Sequence, residues 1–234
     1  MEDRDNSEHL SSSLTDLMTS LMVIFILLLL VFISHTASKD TALRDTLLAK
    51  LQKDLIPQGK DRTPQGLKDN SITKDDKNPD AILVVVPNNL MGFDNEKSTL
   101  KNDGQQFLQA FIPKIADILC DANYGVDSIV VEGQTDKNKW QGYSDQESVN
   151  KNLTLSQQRS MAVVAEALAD LSGKTRPCFL EKLSATGRGD QEAVRPDGPG
   201  RIASEKADEQ SRRVIFKIHV KAQDAKPADE ELRK

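Results

Sequence analysis

Two stretches of the sequence bring together residue types that can do chemistry jointly. One is Glu132-Gly133-Gln134-Thr135-Asp136, at the end of a β-branched run, and the other is Asn152-Leu153-Thr154-Leu155-Ser156-Gln157-Gln158-Arg159, within a helical pattern. A carboxylate at a strand end and an arginine one turn into the next helix can converge on a zwitterion. Asp136 then takes an ammonium, and the planar guanidinium of Arg159 grips a carboxylate with two N–H donors. Such a pair reads an amino-acid head group. Taken singly, Asp136 reads as a turn residue and Arg159 as a solvated helix arginine, while Ser156 or Thr154 reads as a helix cap.

A third candidate is Asp16, in the stretch Leu14 to Ser34, LTDLMTSLMVIFILLLLVFIS. With no polar residue from Leu21 to Ile33, and with Leu14 and Leu17 before them, the run has about the 20 residues a helix needs to cross a bilayer. A carboxylate at the mouth of such a span costs several kcal/mol unless it meets water or a partner, which marks it as a functional residue. Poor solvation favours its neutral form, so it can load and release a proton. The alternative is an N-cap acid sitting in the interface. Thr15, Thr19 and Ser20 either hydrate this carboxylate or pack the helix against others.

The elements that must position these groups follow from periodicity. Lys39 to Leu55 places Leu43, Leu47, Leu51 and Leu55 four apart, an amphipathic helix that serves as a stalk, a short coiled coil or a surface-lying segment. Ile56 to Asp80 holds Pro57, Gly59, Pro64, Gly66 and Pro79 among charged residues and reads as an extended tether. From Ala81 the spacing predicts a strand (Ala81 to Pro87), a helix from Asp103 to Ala122 that Pro113 kinks or breaks, and a second strand from Val126 to Glu132. A second helix from Thr154 to Leu171, a strand from Phe179 to Ala185, a short helix over Arg201 to Gln210 and a last strand from Arg213 to Val220 complete the pattern. The expected fold is α+β, a single N-terminal transmembrane helix followed by a βαβαβ sandwich with helices on one face of the sheet. The divisions are 1–13 N-terminal tail, 14–34 span, 35–80 helix and tether, 81–222 domain and 223–234 C-terminal tail.

Two resemblances attach to these residues. Thr15-Asp16-Leu17-Met18-Thr19-Ser20-Leu21-Met22 followed by Phe25 resembles the span of MotB-type stator subunits, in which an aspartate near the cytoplasmic end carries the translocated ion; Asp16 matches it. Gly133, Thr135 and Asp136, then Asn152, Leu155, Ser156 and Arg159, then Gly187 and Gly189, and finally Arg212 and Arg213 resemble the motifs of the OmpA-like peptidoglycan-binding domain. That resemblance covers Ala81 to Lys221. It implies binding of diaminopimelate in the stem peptide, with Asp136 and Arg159 as the principal pair and Thr135, Asn152, Leu155, Ser156, Arg212 and Arg213 around them. Gln134 stands where histidine is usual and Ser211 where asparagine is usual. The segment 137–148, KNKWQGYSDQES, is enlarged, and its Trp140 and Tyr143 either stack on a sugar ring or cap the domain.

Together these imply a stator: a homodimer anchored to peptidoglycan that works with a MotA-like multi-span membrane protein and conducts protons. The short N-terminus, compact tether and enlarged loop look most like the MotB-like subunit of the Zorya anti-phage defence system. Flagellar MotB-type stators and passive OmpA- or Pal-type wall anchors are the alternatives. The family also implies a plug role for residues 39–55.

Composition narrows the classes further. A net charge of -5 without a long basic run argues against nucleic acid as a partner. No Cys-x-x-Cys or His-rich spacing suggests a metal, no cofactor is expected, and no nucleophile is paired with a base, so an enzyme is the least expected class. Cys120 and Cys178 form a disulfide if the domain is periplasmic, or stay as two buried thiols. MEDRDNSEHLSSS carries four acids and one arginine, unlike the basic start of a signal peptide. Counting basic residues on either side of the span, Arg4 against Lys39, Arg44, Lys50 and Lys53, places the C-terminal side in the cytoplasm. Long domains cross the membrane regardless of such charges. The expected location is therefore the bacterial inner membrane, single-pass, with the N-terminus cytoplasmic and the domain periplasmic.

Overall fold

The computed structural model describes residues 2–56, 66–192 and 210–221, without the side chains of 2–16, 35–40 and 170. The side chains of Thr15 and Asp16, most of the proline- and glycine-bearing part of the expected tether, the helix expected over Arg201 to Gln210 and the C-terminal tail lie outside the described residues. The chain divides into two compact units, 1–42 and 43–234.

The first unit is helical, the N-terminal part of α1 (Glu2–Leu55). Within it Leu17–Ser34 is long and apolar enough to cross a membrane, at about 1.5 Å of rise per residue. Its large apolar side chains, from Leu17 to Ile33, are all exposed. Such a surface needs an apolar solvent. Ser20 Oγ donates to the Leu17 carbonyl at 3.2 Å, so this hydroxyl satisfies itself within the helix.

The second unit is an α+β domain. Its sheet is built from β1 (Ile72–Asp75), β2 (Asn78–Pro87), β3 (Val126–Gln134), β4 (Leu183–Gly187) and β5 (Arg213–Val220). The spatial order is β1-β2-β5-β3-β4, antiparallel throughout except for the parallel pair β3–β4. The helices are α2 (Asn88–Met91), α3 (Asn102–Leu119), α4 (Asp145–Asp170) and α5 (Thr175–Lys182). Cross-strand rows run Val84–Phe216–Val131 and Ile82–Ile218–Ile129, all fully or almost fully buried. Alternate residues Leu83, Val85 and Val130 are only half-buried, so one face of the sheet carries the core. Helix α3 supplies Leu108, Phe111, Ile112, Ile115 and Leu119 to that face, with the Phe111 ring 5.6 Å edge-on from Phe216. Pro113 lies inside α3, and the helix runs on past it.

Several expectations are corrected. The globular unit begins at Leu43, not Ala81. Leu47 and Leu51 are fully buried and Leu55 nearly so, in the domain's own core, and Gln52 Nε2 donates to the Ile72 carbonyl at 3.0 Å. The Arg44 guanidinium donates to the Pro79 carbonyl and pairs with Asp45, which also meets Lys74 at 2.9 Å. The apolar stripe over 43–55 is therefore neither a free stalk nor a plug surface in this structure; covering it with the domain removes it from water. The expected tether likewise gives up Leu67, Ile72 and strand β1 to the fold. Helix α4 starts at Asp145 instead of Thr154. Ser144 is its cap, accepting from Glu147 N while the Glu147 carboxylate accepts from Ser144 N, a reciprocal box that makes the end of the enlarged segment helical. Neither Thr154 nor Ser156 is a cap. The third expected strand begins later, at Leu183, because Phe179 is buried from helix α5. Cys120 and Cys178 are joined in a disulfide that ties the end of α3 to α5.

Leu51→Ala tests the packing of α1. Removing a fully buried leucine should cost about 3 kcal/mol in denaturant unfolding of the full chain, whereas a stalk residue would leave the midpoint unchanged.

Candidate ligand-binding site at the end of strand β3

The site starts from a close approach of α4 to the sheet. A Cβ on Gly133 would stand 2.1 Å from the Ser156 carbonyl oxygen, and one on Gly187 would stand 2.4 Å from Gln157 N and 2.5 Å from Ser156 Oγ. Only hydrogen fits at those two positions, which lets helix backbone rest on strand backbone. Ser156, fully buried, donates to the Leu153 carbonyl at 2.7 Å and accepts from Gly189 N at 2.8 Å. The Gly189 carbonyl in turn accepts from Thr135 N at 2.9 Å. Through this relay α4 fixes where β3 ends and where Thr135 and Asp136 emerge.

Around that point lies a cavity of about 140 Å³ lined by Asn95, Glu96, Thr135, Asp136, Asn138, Lys139, Trp140, Asn152, Leu155, Arg159 and Arg212. Six of the expected site residues meet there: Thr135, Asp136, Asn152, Leu155, Arg159 and Arg212. Arg159 is 3% exposed, and its Nε and Nη2 donate to the carbonyls of Lys97 and Asp94, both at 2.9 Å. This uses the Nε edge of the guanidinium. Nη1 and the second hydrogen of Nη2, the end-on fork, have no partner among the described residues. The ring of Phe93 lies 5.2 Å from Arg159 Cζ. Burial is the largest influence on this group and lowers its pKa to about 10, against the opposing effect of Asp136 and with a smaller lowering by Arg212. At neutral pH it stays charged in a nearly dry site, a condition that favours an anionic ligand.

Asp136 is 9% exposed, with Oδ1 accepting from Asn138 N at 3.2 Å and Oδ2 paired with Arg212 Nη1 at 3.0 Å. Thr135 Oγ1 and Arg212 Nε are buried without a hydrogen-bond partner among the described residues. Unsatisfied buried donors and acceptors are costly and gather where a ligand completes them. Glu96 belongs to the turn of residues 94–97 whose two end carbonyls Arg159 holds. Its φ of 58° is the one positive value at a non-glycine position among the described residues, a strain of about 1 kcal/mol.

The other expected residues act differently. Ser156 is the relay just described and lines no pocket wall. Arg213 points to a separate network: its Nε donates to Gln134 Oε1 at 2.7 Å and its Nη2 to the Glu192 carbonyl at 3.2 Å, while Gln134 Nε2 donates to Glu192 at 3.1 Å. Burial lowers the pKa of Arg213, with Glu192 opposing. Gln134 is thus committed on both ends of its amide. Asn152 lines the cavity but its side chain is spent on the enlarged segment, accepting from Trp140 Nε1 at 2.8 Å and donating to the carbonyls of Asp136 and Asn138. Trp140 is the wall this creates. Lys151 Nζ sits 4.8 Å from the Trp140 ring and 4.0 Å from that of Tyr143, so both aromatics already hold a cation. Sequence reasoning missed Asn95, Glu96, Asn138 and Lys139; nothing in their types or spacing marks them.

No protein-family model and no curated protein matches the chain. Among solved structures, a MotB-like protein from Desulfovibrio vulgaris superposes with a TM-score of 0.52 at 16% identity, over 80% of this chain and 98% of that one. The fold is that of this MotB-like protein. The periplasmic domain of Helicobacter pylori MotB also matches (TM-score 0.45, 18% identity, 66% of this chain, 91% of that chain). So does the cell wall anchor of the T6SS from Pseudomonas aeruginosa (0.44, 22%, 64% and 89%). At these identities the likeness is one of fold.

Gly133→Ala tests the relay. The added methyl has to displace the backbone of Ser156, so unfolding stability should drop by about 2 kcal/mol or more. An unchanged denaturation midpoint would show that α4 can back away from β3 without cost.

Proposed function

We propose that this chain is the wall-anchoring, ion-carrying subunit of a membrane stator. The observation that carries the anchoring half is the buried guanidinium of Arg159, held by two backbone carbonyls with its end-on fork facing a small pocket shared with Asp136 and Arg212. A pocket of about 140 Å³ suits the head group of one amino acid. The diaminopimelate end of a peptidoglycan stem peptide presents a carboxylate and an ammonium on one carbon, the combination that a guanidinium beside carboxylates recognises. Thr135, Asp136, Asn152, Leu155, Arg159 and Arg212 line this site, Ser156 holds the helix that carries it, and Arg213 belongs to the neighbouring network of Gln134 and Glu192.

The ion-carrying half rests on Asp16 at the mouth of the apolar segment Leu17–Ser34, with Thr15, Thr19 and Ser20 beside it. An acid there carries charge across the membrane potential, about 2.3 kcal/mol per charge per 100 mV, enough to bias a step in a MotA-like multi-span partner. The likeness in fold to a MotB-like protein supports this pairing, as does the matching sequence around Asp16. The chain then acts as a homodimer in the bacterial inner membrane, N-terminus cytoplasmic and domain periplasmic. The Cys120–Cys178 disulfide supports that orientation, since such bonds persist in oxidising compartments. The opposing count of basic residues loses weight because Arg44 and Lys50 are folded into the globular unit as ion pairs with Asp45 and Asp54. Within the stator class, the enlarged segment 137–148 and the short stretch between Ser34 and Leu43 favour the MotB-like subunit of a Zorya-type anti-phage system over a flagellar stator.

Two measurements test the halves separately. Arg159→Ala should abolish pull-down of the full chain by diaminopimelate-type sacculi while the thermal midpoint shows the domain still folded; undiminished binding would remove the wall site. Asp16→Asn should leave assembly with a co-purifying multi-span partner intact and abolish the cellular output, phage protection or motility. A retained output would reduce the chain to a passive anchor.

A further inference from the structure

Resting on the ligand-site reading above, we propose that Trp140 is a specificity-determining residue: with Leu155 it takes the hydrocarbon chain behind an amino-acid head group, so that the site selects diaminopimelate over shorter amino acids carrying the same head group. Trp140 lies in the enlarged segment 137–148, outside both the span motif and the wall-binding motif.

The first support is the make-up of the pocket wall. Trp140 and Leu155 are its apolar members, and the other nine lining residues are polar or charged. Thr135, Asp136, Arg159 and Arg212 supply the groups that meet a carboxylate and an ammonium, and none of them gains from a methylene group. A ligand that is head group alone leaves the half-buried indole against water. One that continues as a hydrocarbon chain covers it, and the gain grows with the apolar area removed from water. A tryptophan offers that area at a low cost in side-chain entropy.

The second support is that the indole is fixed before a ligand arrives. Its Nε1 donates to Asn152 Oδ1 at 2.8 Å, and its backbone N donates to Ser148 Oγ at 3.2 Å, so two buried side chains of α4 hold it. With its oxygen taken, the Asn152 amide turns its Nδ2 to the carbonyls of Asp136 and Asn138, at 3.5 and 3.4 Å. The one polar atom of the ring is satisfied there, and what remains of the ring is hydrocarbon. Lys151, 4.8 Å from the ring centroid, is outside the pocket lining, so its cation does not close the pocket off from the indole. Tyr143 meets the same cation and does not line the pocket.

The test uses the full chain in detergent and two soluble probes, meso-diaminopimelate and D-alanine, which share a head group and differ in the chain behind it. Each is titrated as a competitor against diaminopimelate-type sacculi. Diaminopimelate should displace the wild type at a concentration about tenfold lower than D-alanine, the scale of a methylene contact with an apolar wall. Trp140→Ala should lose that preference through weaker binding of diaminopimelate alone, and Trp140→Phe, which keeps a ring without the N–H, should retain most of it. Trp140 is the single tryptophan of the chain, so wild-type emission should change saturably with diaminopimelate. No preference in the wild type, an unchanged preference or equal weakening toward both probes in Trp140→Ala, a Trp140→Phe variant that behaves like Trp140→Ala, or an emission that does not respond overturns the assignment. Arg159→Ala tells the two readings apart: if it loses sacculi while Trp140→Ala keeps the preference, only this inference falls, and if it binds sacculi undiminished, the wall site beneath it falls.

Discussion

A single guanidinium has to stay charged while almost out of water, and the end of β3 is arranged around that requirement. Moving a cation from water into a protein costs several kcal/mol, so a buried arginine persists only where fixed dipoles replace the lost hydration. For Arg159 those dipoles are two backbone carbonyls, and backbone carbonyls cannot rotate away. The turn that supplies them is bound in its place by the group it solvates. In the proposed function a ligand anion would meet donors already aimed and already desolvated, so part of the cost of recognition would be met during folding.

Behind this lies a second constraint, the contact of α4 with β3 and β4. Helix and sheet usually meet through side chains at about 10 Å. Here they meet through Gly133 and Gly187, and Ser156 supplies the hydrogen bond that a larger residue would block. The arginine sits one helical turn beyond Ser156, so the approach distance of the helix decides how deep the guanidinium reaches. Packing and recognition are thus one geometric variable.

The sequence made much of this legible, for identifiable reasons. β-Branched runs placed β2, β3 and β5 closely because such side chains favour the extended backbone whatever covers their second face. That Asp136 and an arginine of the next helix line one cavity was visible from their types and spacing, whereas the ion pair of Asp136 was not, since its partner is Arg212 and not Arg159. The destination of the Leu43–Leu55 stripe was not, since periodicity reports an apolar face and not what covers it. Strand β1, with the polar sequence ITKD, has no pattern of its own and exists through its pairing with β2. The start of α4 was readable in Ser144 and Glu147, spaced as a capping box, and was obscured by the turn-forming residues before them. Glu96 was invisible in principle: a left-handed glutamate is unusual, and only the bonds from Arg159 to its neighbours select it. Ser156 and Arg213 show a further gap, because a shared motif does not distinguish a group that touches ligand from one that holds the scaffold.

The bond between Cys120 and Cys178 spans 58 positions, and that interval contains β3, α4 and most of the pocket. Topologically, these elements form a closed ring from which the chain leaves at Cys120 toward α3 and at Cys178 toward β4. A load entering at Arg159 and leaving toward α1 therefore has two covalent routes to Cys120, one back through β3 and one on through α5 and the disulfide. Each carries part of the tension, and neither alone can be drawn out without the other.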